Sequence, residues 1–290
     1  MLSVSTAAIT QQRALKCLEK LPKLSPLRTQ LVSRVARRNC EISDLSELIE
    51  KDAVLSAQVL RLANSAMFGR IQPIHSIRRA VAYVGIGTMR KFALGSSIAN
   101  LFSRFKLAPS FSMARFNVHS VATASLVELL AEEVPVEFSS GAFIAGLMHD
   151  VGKLLIAVGM PQEYEDILAI SATNGAPLIE SERQVLGTDH AELSALVIAH
   201  WDLPEPVLKA ARHHHDSGPE LGFSPKFDLS LAIHKADAFV NYLGMSVLPP
   251  GPQPEEPPNL EFGSSHSSSQ RVLQRFELEL KSLTDLFGQH

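Results

Sequence analysis

In residues 42–64, ISDLSELIEKDAVLSAQVLRLAN, apolar side chains recur three and four positions apart, at Leu45, Leu48, Ile49, Leu55, Val59 and Leu62. That spacing puts them on one face of a 3.6-residue period and predicts helix. Asp52 interrupts the stretch with a short acceptor side chain, the kind that caps a helix N-terminus, so a second helix is expected to start there. Asn64 through Gly69 end it. Asparagine tolerates left-handed backbone and bonds its own main chain, so Asn64-Ser65 is expected to turn the chain and return Phe68 and residues 74–77 onto the helix. SIRRAVAYVGIGTMRKFALGSSIANLF, 76–102, reads as two helices hinged at Gly85-Ile86-Gly87. Further helical periods cover roughly 112–133, 139–149, 161–174, 179–186, 190–201, 204–214 and 228–243. No strands alternate around a tight turn, and no segment repeats. The fold class expected is all-α.

The pattern stops after Val247. PPGPQPEEPPNLEFGSSHSSSQ, 249–270, is rich in Pro, Ser and Glu and carries too little apolar surface to fold, so it reads as a disordered linker, with 246–270 as its bounds. Beyond it, 271–290 returns to helical periodicity, with Leu273, Phe276, Leu280, Leu283 and Phe287 spaced 3, 4, 3, 4. This amphipathic helix either docks on its own domain or zips to a second copy through 271–287; two heptads are short for a coiled coil.

Composition changes this picture little. At 290 residues, with 46% hydrophobic and 20% charged positions, the chain can bury a sizeable core, and a net charge of −3 gives no global pull toward nucleic acid or anionic membrane. Arg34, Arg37 and Arg38, and Arg78, Arg79, Arg90 and Lys91, form the basic stretches; they suggest a nucleic-acid regulator only weakly and read first as solvated faces. Cys17 and Cys40 make no disulfide framework and suit a reducing, cytoplasmic setting. No secretory leader is visible. The most apolar run, 141–159, is broken by His149, Asp150 and Lys153, which argues against a membrane span.

Histidine changes it most. There are eleven, and several sit where helices end. His119 lies in an amphipathic helix, His149-Asp150 closes the next, and His190 follows Asp189, which has capping-box spacing to Glu192. His213-His214-His215-Asp216 ends another helix, and Asp237 has apolar neighbours on both sides. Neighbours on a helix point about 100° apart, so His149 and Asp150 can face one ion only where the chain turns. Imidazole and carboxylate together suit Fe, Mn, Zn, Ni or Mg. Such a set is equally read as a metal site, the remnant of one, or a polar cluster holding helices together. Lone histidines such as His75, His200 and His234 read as ordinary core or boundary residues.

The order His119, His149-Asp150, Asp237 resembles the HD superfamily of metal-dependent phosphohydrolases, which are all-helical. His190 and His214-His215 resemble its HD-GYP branch, which hydrolyses cyclic di-GMP at a di- or trinuclear iron or manganese site. By that resemblance His119, His149, Asp150, His190, His214, His215 and Asp237 are the metal ligands, Fe or Mn the first choice. Asp150 and Lys153 would serve catalysis if there is any, with Lys153 facing the phosphate. DAVLSAQVLRLANSAMFG (52–69) and IHSIRRAVAYVGIGTMR (74–90) resemble more closely the HDOD family of bacterial signalling output domains, over about 15–245. That likeness implies a two-lobed helical unit, 15–107 as N-terminal lobe and 108–245 as HD-like bundle. It implies a regulatory, non-catalytic module working with other signalling proteins; a metal-dependent phosphodiesterase is the alternative. Two departures count against catalysis: SGPELGFSP replaces the D-G-x-G-Y-P loop, and Arg115 stands one turn before His119, where related enzymes carry a carboxylate.

Overall fold

The computed structural model describes residues 3–21, 23–32, 40–65, 68, 72–134, 136–216, 228–248, 256–258, 260 and 266–287, and all regular structure among them is helical. After α1 (Ser3–Lys20) and α2 (Pro26–Gln30), the N-terminal lobe is built from α3 (Ile42–Glu50), α4 (Ala53–Ala63), α5 (Ile77–Val84) and α6 (Ile86–Phe102). The Asp52 carboxylate accepts from the Val54 and Leu55 N–H groups at 3.0 Å each, which starts α4 where the pattern places it. Asn64 ends it. Its amide nitrogen donates to the Leu60 and Ile74 carbonyls at 2.8 and 2.9 Å, and its oxygen accepts from the Ile74 N–H at 2.7 Å. One side chain therefore ties the returning strand of chain to α4, and Phe68 packs edge-on against Tyr83 of α5. The α5–α6 hinge falls on Gly85, whose φ of 95° lies where an L side chain is strained.

The second lobe is a bundle around α7 (Met113–Glu133). It comprises a short 3₁₀ turn at Ser139–Gly141, α8 (Ala142–Met148), α9 (Val151–Gly159), α10 (Pro161–Asn174), α11 (Leu178–Leu186), α12 (His190–His200), α13 (Glu205–Arg212), α14 (Leu229–Tyr242) and α15 (His266–Phe287). From His119 to Ala131 every residue of α7 is buried, as befits a helix with neighbours on all sides: α6, α8, α14 and α15 pack on it.

Several expectations are corrected. Helix α1 lies largely ahead of the expected start at 15 and packs on α9, α11 and α12 of the second lobe, so the division at 107 does not separate the chain cleanly. Its apolar stripe of Ala14, Cys17 and Leu18 fits because Gly159 has no side chain; a β-carbon there would stand 3.0 Å from Cys17 Sγ. The run 139–159 has the length and apolarity of a membrane span, yet 89% of its most apolar 18 residues are buried inside the bundle and it breaks at His149-Asp150. Helix α15 starts at His266, inside the span expected as linker, because Ser268 accepts from Arg271 and Ser269 is buried. The rest of that span lies mostly outside the described residues. Arg34, Arg37 and Arg38 also lie outside them. Arg78 and Arg79 are exposed, but Arg90 and Lys91 are neither a solvated face nor free for nucleic acid. Both are buried on α6, with Arg90 held by both oxygens of Glu128 at 2.6 Å and Lys91 paired to Glu279.

Candidate metal centre

The chain turns at His149-Asp150 because two glycines bring helices close on either side. At Gly146 a β-carbon would lie 2.6 Å from Ala124 Cα of α7, and at Gly152 it would lie 2.0 Å from the His190 carbonyl oxygen of α12. The Gly152 N–H instead donates to Ser194 Oγ at 2.8 Å, docking the start of α9 on α12. Asp150 stands at the N-cap of α9 but makes no side-chain cap bond; its carboxylate turns into the cluster.

The structure brings together all seven residues suggested as ligands. His119, His149, Asp150 and Asp237 present ligand atoms within 4.8 Å of one another, and His190, His214 and His215 do the same. His119 Nε2 lies 3.1 Å from Asp237 Oδ1, 3.2 Å from Asp150 Oδ2 and 3.3 Å from His149 Nε2. On the other side of Asp150, His190 Nε2 is 3.3 Å and His214 Nε2 3.9 Å from Oδ1, and His190 Nε2 is 2.9 Å from His215 Nε2. Asp150 therefore links the two groups, one oxygen to each.

Hydrogen bonds decide which nitrogen faces inward. A carbonyl can only accept, so Nδ1 of His119 donates to Met245 O at 3.0 Å, Nδ1 of His149 to Gly146 O at 2.8 Å, and Nδ1 of His214 to Ala211 O at 2.6 Å. His190 Nδ1 donates to Glu182 Oε2 at 2.6 Å. With Nδ1 engaged in this way, each ring directs its Nε2 into the cluster, which is how ligand histidines are oriented by outer carboxylates and carbonyls. The Nε2 atoms of His119 and His149 face one another at 3.3 Å, an arrangement that needs a proton or a cation between them. Asp150 Oδ1 and His214 Nε2 are buried and form no hydrogen bond. Orphaned acceptors of this kind are costly unless something cationic meets them, so the donor set fits a divalent metal.

Charge on the groups follows from these contacts. Burial would lower the His119 pKa, but bonds to Asp150 and Asp237 outweigh it and raise it to about 9. Burial would raise the pKa of Asp150 and Asp237; neighbouring histidines, and for Asp150 also Lys153, hold both well below the usual carboxylate range. His214 is pushed well down by burial and by His215, and His215 to about 3 by burial and by His190. Lys153, expected to face a phosphate, is buried and spends its Nζ on Asp150 Oδ2 at 2.6 Å.

Three contributors escape a reading by motif. Glu182 of α11 orients His190 through both its ring and its backbone N–H, at 2.6 and 2.8 Å. Asn241, one turn after Asp237, donates to its Oδ1 at 2.9 Å. His234, read as an ordinary boundary histidine, bonds the His214 carbonyl at 2.9 Å. Of these only Asn241 has a sequence signal, the i, i+4 spacing; Glu182 lies eight residues before His190 and on another helix. Arg115, one turn before His119, is exposed and supplies nothing to the cluster. The segment SGPELGFSP lies outside the described residues.

Residues 21–217 match the HDOD domain family. A solved HDOD domain protein of unknown function from Geobacter sulfurreducens is 22% identical, with a TM-score of 0.73 over 98% of this chain and 99% of that one. A candidate phosphohydrolase of Shewanella amazonensis SB2B is 22% identical with a TM-score of 0.65, over 94% of this chain and 98% of that one. A candidate signal transduction protein of Marinobacter aquaeolei VT8 is 17% identical, with a TM-score of 0.71 over 99% of this chain and 67% of that one. Among curated proteins, an uncharacterized protein of Treponema pallidum (strain Nichols) is 23% identical over 204 residues, 69% of this chain and 38% of that longer protein. At these identities the structural likeness concerns the fold.

Proposed function

Since the chain belongs to the HDOD domain family, we propose that it is a signal-transduction output module. Its buried His/Asp cluster holds a divalent metal, Fe or Mn before Zn, Ni or Mg, as part of the scaffold and without turnover. The observation that carries this reading is the state of Asp150. Its carboxylate is fully buried, its Oδ2 is taken by Lys153 at 2.6 Å, and His119 and His149 beside it are fully buried too. A lysine engaged this way neutralises the scaffold carboxylate and is not presented to a substrate phosphate. His119, His149, Asp150 and Asp237 would hold one ion, and His190, His214 and His215 a second, with Glu182 and Asn241 orienting them. Helices α7, α9, α12, α13 and α14 would thereby be pinned at one point. The regulatory partners would be other signalling proteins, in a reducing cytoplasmic setting that suits Cys17 and Cys40, neither of which is in a disulfide.

The test pairs metal analysis with turnover. Protein purified without a histidine tag is expected to carry divalent metal, and Asp150→Ala to lose it together with stability. Hydrolysis of cyclic di-GMP is expected to be no faster with wild type than with Asp150→Ala. Metal-dependent hydrolysis that vanishes in the variant overturns the reading.

That outcome would favour a metal-dependent phosphohydrolase acting on a nucleotide or cyclic dinucleotide. The inward-facing imidazoles support this second reading. A bound metal there would supply a Lewis acid and a bound water of lowered pKa. For this chain's residues, the requirement would be that Lys153 leave Asp150 and that a substrate reach the half-buried edge at His215 and Asp237.

A further inference from the structure

The C-terminal helix lies on the molecule in an informative way. Helix α15 packs on α7 and α6. Its inward anchors are Val272 and Phe276, both fully buried, and the Phe276 ring meets Phe239 of α14 edge-on at 6.4 Å between centroids. Around them charges match in register. Arg271 pairs with Glu133 at 2.9 Å, Arg275 one turn on pairs with Glu132 at 2.5 Å, and Glu279 a further turn on pairs with Lys91. The acidic face belongs to α7, whose Glu128, Glu132 and Glu133 follow one another up the helix. Glu279 also borders a cavity of about 320 Å³ between the lobes, floored by Arg90, Lys91 and Glu128. The grip is nonetheless modest. Arg271 and Arg275 are about half exposed, Leu278 is 78% exposed, and the helix is joined to α14 through a Pro/Ser/Glu-rich segment. It also lies outside the residues that match the family.

We propose that the groove on α7, α6 and α14 is a docking surface for an amphipathic helix of a partner protein that carries two arginines one turn apart, and that α15 is a tethered competitor filling it. The occupant shows what the groove selects: arginines one turn apart, an apolar residue following each, and a carboxylate one turn beyond for Lys91. Undocking uncovers the Phe239 face, the glutamates of α7 and the Lys91 ammonium together. This names the kind of partner for the output-module reading and rests on it; cyclic di-GMP turnover by the same proteins judges that reading separately.

The test uses the full chain and a fluorescent synthetic peptide of residues 266–287. Phe276→Asp removes the central anchor from α15 and leaves the groove intact. A tether supplies a high local concentration of competitor, so the peptide is expected to bind Phe276→Asp at least about tenfold more tightly than wild type. Adding Glu132→Arg to that variant should abolish binding, and a peptide carrying Arg275→Glu should restore it. Equal binding to both chains, or none to a Phe276→Asp chain that retains its helical content, overturns the proposal. Hydrogen exchange on the wild type is an independent check: amides of α15 should exchange faster than those of α7 and α14, and equal protection overturns the proposal. If the groove is instead filled by the helix of a second copy, the wild type sediments as a dimer and Phe276→Asp as a monomer, which also overturns it.

Discussion

Asp150 is where the largest energies meet. Its carboxylate neutralises a buried lysine and faces four imidazoles, so removing it leaves Lys153 charged and unpaired in the interior. Breaking one side of a buried pair costs about 3–5 kcal/mol. Asp150→Ala is accordingly expected to lower unfolding stability by about that amount, read from denaturant melts, whatever it does to activity. Glu182 acts one step further out, by fixing the ring of His190. With Glu182→Gln the fold should survive, while metal affinity at the His190, His214, His215 group falls by about 10–100-fold. A competition titration with a chromophoric chelator measures this; unchanged affinity would mean His190 is held by α12 alone.

Helices are placed in this molecule by what their glycines and caps permit. Gly152 lets α9 touch α12, and its missing β-carbon would stand 2.0 Å from a backbone oxygen that cannot rotate away. Overpacking of this kind costs about 1–3 kcal/mol or more, and here it would also push His190 from Asp150. Gly152→Ala should therefore lose both thermal stability and bound metal. Gly87, in α6 with open space around its β-carbon position and ordinary backbone, is the control: Gly87→Ala should stabilise by about 0.4–1 kcal/mol. Asn64 does for α4 and α5 what the glycines do for the bundle. Asn64→Ala leaves the Ile74 N–H and carbonyl without its bonds, at about 1–3 kcal/mol, and is expected to loosen the N-terminal lobe first in hydrogen exchange.

At the scale of the molecule, the cluster and the C-terminal helix are two separate fastenings on α7. A metal bound only by the folded state stabilises by about 2.7 kcal/mol at a free concentration of a hundred times its Kd. Chelation should thus lower the wild-type Tm and leave Asp150→Ala, already without metal, unmoved. Deleting 249–290 is expected to leave a cooperatively folding bundle with its cluster intact, because all seven cluster residues precede the deletion. Stability should fall, since the cut exposes the surfaces under Val272 and Phe276 and strips Lys91 of Glu279. A truncated chain that does not fold would make α15 part of the core.

Amphipathic spacing alone placed α3 through α8 and α10 through α14 to within a few residues, because a helix with one buried face must repeat its apolar side chains every three or four positions. Asp52, Gly85 and Asp189 announced their turns for the same local reason: caps and left-handed turns are satisfied within a few residues of chain. The ligand-type residues were legible too, as histidines and aspartates at helix ends. Helix α9 was not, and the stripe on α1 gave no hint that it belongs to the second lobe. Whether those residues converge was beyond any local signal. The approach of α8 to α7 and of α9 to α12 depends on backbone contacts between segments tens of residues apart. The same holds for Glu182 behind His190, for Glu128 and Glu279 around Arg90 and Lys91, and for Arg115 pointing outward. Burial of a charge is set by which helix lies opposite it, and only the tertiary structure decides that.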